Sequence, residues 1–121
     1  MADQSAGIAH RRGEPGLPHW RWQRYSAVII LLLMIYFAVM LAGLGGLDHA
    51  AAVAMVGHPV NALALAALVT IGLWHGSLGL QVVIEDYISL GGGRHAVLAA
   101  MRVVLGLTAA ASLWAIASVA L

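Results

Sequence analysis

The sequence predicts an all-α membrane protein, with three transmembrane helices behind a polar N-terminal tail and the N-terminus in the cytoplasm. Two observations predict the class. Of 121 residues, 62% are hydrophobic and 9% charged, and the mean hydropathy is +0.91, whereas a water-soluble domain carries about 25% charged residues. So few charges cannot cover a water-soluble globule, and lipid is the natural solvent. At about 20 residues per crossing, the apolar part allows three spans and not four.

Residues 1–25 read as the tail. Residues 1–24 are polar and contain Pro15, Pro18 and three glycines, a composition expected of a flexible or surface-lying segment. Its last six residues, His19-Trp20-Arg21-Trp22-Gln23-Arg24, alternate aromatic and basic side chains. Indole and guanidinium groups both favour the headgroup layer, so this hexapeptide is expected to anchor the chain at the interface. A nucleic-acid patch is the alternative, and arginines next to a membrane span argue against it.

The remainder, 26–121, reads as the membrane domain, with spans at about 26–45, 60–85 and 96–120. The first span carries no charge and ends among Gly43, Gly45 and Gly46. It is longer than the ~7–15-residue apolar core of a signal peptide, which favours a retained helix. Residues 47–58 form a short, mildly apolar connection containing Asp48, His49 and His58. Pro59 suits the first turn of the next helix, where a missing N–H costs nothing. Glu85-Asp86-Tyr87 closes the second span, and Gly91-Gly92-Gly93-Arg94-His95 is expected to form the loop after it. Arg102 lies inside the start of the third span, at a depth from which it can snorkel to the interface.

Arginine placement orients the spans. Arg11, Arg12, Arg21 and Arg24 precede the first span, Arg94 and Arg102 flank the second loop, and the first loop has none. The positive-inside rule then puts the N-terminus and the 85–95 loop in the cytoplasm and the C-terminus outside.

Chemistry is expected where polarity interrupts the second span, in Trp74-His75-Gly76-Ser77-Leu78-Gly79-Leu80-Gln81-Val82-Val83-Ile84-Glu85-Asp86-Tyr87. At 100° per residue, His75, Gly79, Val82, Val83 and Asp86 share one helix face. Gly72 and Gly76 form a small-xxx-small pair that admits another backbone or a flat ligand. Gly79, one turn from His75, leaves the gap that a porphyrin edge needs. An intramembrane histidine can equally bond a neighbouring helix or serve a proton relay. If His75 ligates haem, the second ligand must come from another polypeptide. The first span has no histidine, and His58 is 17 residues away, about 25 Å along a helix. Tyr87 and Asp86 sit at the cytoplasmic boundary, where a phenol can donate to a quinone carbonyl and a carboxylate can pass protons. The plainer account is an aromatic belt and a solvated helix end. His10, His19, His49, His58 and His95 lack helical i, i+4 pairing and read as solvated or interfacial. With no cysteine, the chain holds neither a disulfide nor a cysteine-ligated cluster.

The motif "HGSLGLQVVIEDYI", with Asp86-Tyr87 eleven and twelve positions after His75, resembles the hydrophobic membrane-anchor (D-type) subunits of succinate dehydrogenase. The "WQRYSAV" start of the first span resembles the Arg-x-[ST]-Ala start of that family, and the likeness covers essentially the whole chain. It implies that His75 is one axial ligand of a haem b, the other coming from a C-type cytochrome b anchor subunit. It implies that Tyr87, with Asp86 beside it, binds the quinone, and that Arg24 lies by the haem propionates or the quinone pocket. The tryptophans before Arg24 would meet headgroups or the iron–sulfur subunit. Electrons from succinate would pass through flavin and iron–sulfur clusters, both held by partner subunits, to quinone in a bacterial inner membrane. Three alternatives stand beside this expectation: a cytochrome pairing with itself through His75, an anchor that binds no haem, and a small multidrug-type transporter. The last needs four spans and a carboxylate in the first, and this chain has neither.

Overall fold

A computed structural model describes residues 16–43, 45–46, 48–88 and 92–121. The expected tail up to residue 15, with His10, Arg11 and Arg12, lies outside the described residues, as does Gly91. Among the described residues there are four α-helices and no strand: α1 Gly16–Gly43, α2 His49–Gly57, α3 Pro59–Tyr87 and α4 Gly92–Ala120. Three of them, α1, α3 and α4, are long and apolar enough to cross a membrane.

The helix of the first span begins ten residues before the span itself, because the interfacial hexapeptide is helical too. Pro18 falls within the first turn, which has no intrahelical partner for its N–H to lose. One turn separates Trp20 from Arg24, and the guanidinium lies 4.6 Å from the Trp20 ring centroid. After α1, Gly45 turns the chain with φ +63°, a conformation that favours glycine.

The connection expected at 47–58 is itself a helix. Asp48 caps α2, its carboxylate accepting from the Ala51 N–H at 2.6 Å. The segment HAAAVAMVG supplies alanines that favour helix. At nine residues α2 is too short to span. The His58 N–H closes it on the Met55 carbonyl, and Pro59 opens α3 at once. Residues 92–95, expected in a loop, form the first turn of α4, where unpaired amide groups make the helical weakness of glycine matter least.

Packing is organised around α3. Both α1 and α4 lie against it, α2 touches α3 and α4, and α1 and α4 share no contact among the described residues. The contacts Gln23–Gly79, Ser26–His75 and Tyr36–Asn61 show α1 and α3 running antiparallel. Where α1, α2 and α3 meet, Tyr36 donates to the Asn61 side-chain oxygen, and Asn61 Nδ2 donates to the Met55 carbonyl at 2.8 Å. Asn61 is only 5% exposed, so both halves of its amide are satisfied within the protein, as a lipid-immersed polar group requires. The buried apolar residues are few, Phe37, Ala62 and Leu98. Large apolar side chains instead cover the outer faces, among them Leu32, Val39, Leu63, Val104, Leu107 and Trp114. Such surface is compatible with lipid or partner helices and not with water.

Candidate functional site

His75 lies on α3 where α1 crosses it. Ser26, 2% exposed, brings its hydroxyl oxygen to 2.8 Å from His75 Nδ1. That oxygen is also 2.7 Å from the Trp22 carbonyl and 3.1 Å from the Gln23 carbonyl. One turn before Ser26, the Trp22 ring packs edge-on against Trp74, centroids 5.7 Å apart, and reaches Tyr25 at 6.3 Å. The indole and the hydroxyl together fix the register of α1 on the neighbourhood of His75.

The opposite ring nitrogen, Nε2, takes no hydrogen bond among the described residues. A stripe of glycine runs along α3 beside His75. At 100° per residue Gly79, Gly72 and Gly76 stand about 40°, 60° and 100° to one side of His75. A Cβ added to Gly72 or Gly76 would meet no atom within 4 Å, and at Gly79 it would meet only Gln23 Nε2 at 3.6 Å. Gln23 Oε1 is buried there without a partner, which leaves an unused acceptor next to the stripe. An imidazole held on one nitrogen, without a hydrogen bond on the other and bordered by open space is able to coordinate a metal held by a flat ligand. Among the described residues no three His, Asp or Glu side chains gather into a metal site, so coordination by this chain alone would rest on one imidazole.

Asp86 and Tyr87 are not brought against His75. They stand about 16 and 18 Å further along α3, Asp86 within about 20° of the His75 face and Tyr87 about 120° round from it. Tyr87 is 86% exposed, and Asp86 is exposed. Between them and the histidine, Gln81 Nε2 donates to Glu85 at 2.8 Å. Because α1 is antiparallel, its N-terminal turns stand beside this end of α3. Arg24 is level with Ser26 to about 3 Å, but about 160° round α1 from it, exposed and stacked on Trp20. Thus Arg24 shares the depth of His75 without sharing its face. Pro18, Arg21, Trp22 and Tyr25 line an open groove on α1 nearby.

Sequence spacing identified His75 and its glycine neighbours, but neither Ser26 nor Gln23. Periodicity within one helix says nothing about which residue of another helix stands opposite. For Ser26 the available signal was its place in the "RYSA" start of the first span.

The family model for the succinate dehydrogenase/fumarate reductase transmembrane subunit matches residues 9–115. The chain is 32% identical over 101 residues to a succinate dehydrogenase hydrophobic membrane anchor subunit of Rickettsia bellii, covering 84% of this chain and 81% of that one. It is also similar to proteins of the same description from Rickettsia felis, 35% identical over 74 residues, and Rickettsia conorii, 38% identical over 80 residues. Each of these two matches takes in 61% of this chain, and 62% and 60% of the relatives respectively. No solved structure matches.

Proposed function

Because the chain belongs to the family of succinate dehydrogenase/fumarate reductase transmembrane subunits, we propose that it is the hydrophobic anchor of a succinate:quinone oxidoreductase. In this role His75 would be one of the residues that hold a b-type haem, and the chain would form one wall of the quinone pocket. The observation carrying the haem assignment is His75, gripped at Nδ1 by Ser26 of a neighbouring helix, with a stripe of glycines open beside the ring.

The surroundings fit the group. Nε2 takes no hydrogen bond among the described residues, Gly72 and Gly76 leave room for a macrocycle edge, and Gly79 faces the Gln23 amide. Bound there, haem supplies one-electron chemistry at a potential set by imidazole ligation and apolar surroundings. The second ligand comes from a C-type cytochrome b anchor subunit, since among the described residues no other histidine stands at that level of α3. Arg24, at the depth of His75, is the charge available for a propionate or the quinone pocket, and reaching either requires it to leave Trp20.

Quinone binds toward the Tyr87 end. The Tyr87 phenol donates a hydrogen bond to a quinone carbonyl, orienting the ring and favouring negative charge on that oxygen during reduction. The Asp86 carboxylate, exposed at the helix end, takes a proton from water and passes it to the reduced oxygen. Flavin and iron–sulfur clusters belong to two partner subunits. The complete lack of cysteine agrees with that division. By the arginine distribution the N-terminus and the Tyr87 end face the cytoplasm of a bacterial inner membrane.

Co-purification tests the assignment. A tagged chain solubilised in mild detergent should bring down a flavoprotein, an iron–sulfur protein and a second multi-pass protein. Isolation as a lone, colourless polypeptide would contradict it.

A further inference from the structure

We propose that Ser26 is the positioning residue of His75: its hydroxyl oxygen accepts the Nδ1–H of the imidazole and thereby keeps the Nε2 lone pair free for a metal. The inference rests on the haem-ligand role proposed above for His75. A serine hydroxyl has one proton, and here its oxygen meets three polar atoms: the Trp22 carbonyl at 2.7 Å, the Gln23 carbonyl at 3.1 Å and His75 Nδ1 at 2.8 Å. Carbonyl oxygens only accept. If the hydroxyl donated to Nδ1, both carbonyls would face serine lone pairs with no proton between them. If it donates to the Trp22 carbonyl, the serine lone pairs are left for an Nδ1–H, and the two shortest of the three contacts are matched. A neutral imidazole with its proton on Nδ1 presents a bare Nε2.

The other described serine and threonine hydroxyls with hydrogen bonds in the long helices provide the contrast. Ser77, Thr108 and Ser118 bond a carbonyl three or four residues back in their own helix and nothing else. These three are incidental to the packing between helices. Ser26 makes the same local bond, is buried at 2% exposure, and is the hydroxyl that also reaches a histidine 49 residues away. A ligating histidine whose second nitrogen is held in this way has a fixed tautomer, a fixed ring plane and a more basic coordinating nitrogen.

The test uses the tagged, detergent-solubilised complex and compares Ser26→Thr with Ser26→Val, two side chains of nearly equal volume that differ in the hydroxyl. Threonine should keep the wild-type midpoint potential and the low-spin ferric resonance. Valine leaves Nδ1–H without an acceptor and makes His75 a poorer donor to ferric iron. Its midpoint potential should therefore rise and haem retention weaken about 10-fold or more. Ser26→Ala, which removes the hydroxyl without adding volume in a better helix former, should move the potential in the same direction. Identical potentials in the threonine and valine complexes, with haem retained, would overturn the role, as would a shift in valine that alanine does not share. A wild-type complex without a b-type spectrum would instead overturn the haem assignment beneath it, so the two failures are distinguishable.

Discussion

A histidine in an apolar helix is tolerated where its ring nitrogens have partners or a task. Among the described residues His75 has one hydrogen-bond partner, Ser26, and the nitrogen across the ring is unbonded. Tyr87 is at the other extreme, 86% exposed at the end of α3, so replacing it leaves the packing of the chain intact. Tyr87→Phe removes one hydrogen-bond donor from the proposed quinone contact. The expected loss is about 1–1.5 kcal/mol, or roughly 10-fold in kcat/KM for quinone, with the haem spectrum unchanged. Steady-state kinetics with a soluble quinone analogue checks this, and unchanged kinetics would remove Tyr87 from the site. The glycine stripe makes a complementary case. A Cβ at Gly76 meets no atom within 4 Å among the described residues outside its own helix turn, so a leucine there points into space open to a ligand or partner. Gly76→Leu should therefore lower haem content or partner association while the chain itself still inserts, as measured by haem per mole of purified protein.

Among the helices, the junction of α1, α2 and α3 depends on one buried amide. Asn61→Ala strands the Tyr36 hydroxyl and removes the shorter of two donors to the Met55 carbonyl, whereas Tyr36→Phe leaves the Asn61–Met55 bond in place. Hydrogen bonds between membrane helices contribute about 0.6 kcal/mol on average and up to about 1.7. Thermal unfolding of the solubilised complex should accordingly fall further for Asn61→Ala than for Tyr36→Phe. The elements differed in how far the sequence disclosed them. The three long helices were legible because uncharged runs of spanning length admit little else. The helix α2 was missed because residues 47–58 are too short and too mixed to stand out by hydropathy. Its signals were local, Asp48 three residues before Ala51 and Pro59 just past the end. The early start of α1 is hidden in the sequence by Gly16 and Pro18, which read as breakers until placed in a first turn. The candidate site was half legible, since His75, Gly76, Gly79, Asp86 and Tyr87 lie on one helix and their spacing is fixed. Ser26 and Gln23 arrive from α1 with the packing register, which a single helix's periodicity does not encode.

At the scale of the molecule, α3 is flanked by α1 and α4, which do not touch each other among the described residues. Large apolar side chains cover the outer faces, and the described chain contributes one imidazole to the level of His75. These features agree with membership of a family of transmembrane subunits. They also support orientation as a testable property. Reporter fusions or cysteine labelling should find the N-terminus and residues 92–95 on the cytoplasmic side, and residues 45–48 and the C-terminus on the other. The reverse pattern would put Tyr87 and Asp86 opposite the soluble partners and end their proposed role. The reduced-minus-oxidised spectrum of the tagged wild-type complex beside that of His75→Leu, prepared identically, addresses the central claim most directly. A b-type band in the wild type that is lost or strongly altered in the variant, with the partner subunits still bound, is the predicted result. The same band in both preparations would contradict the account.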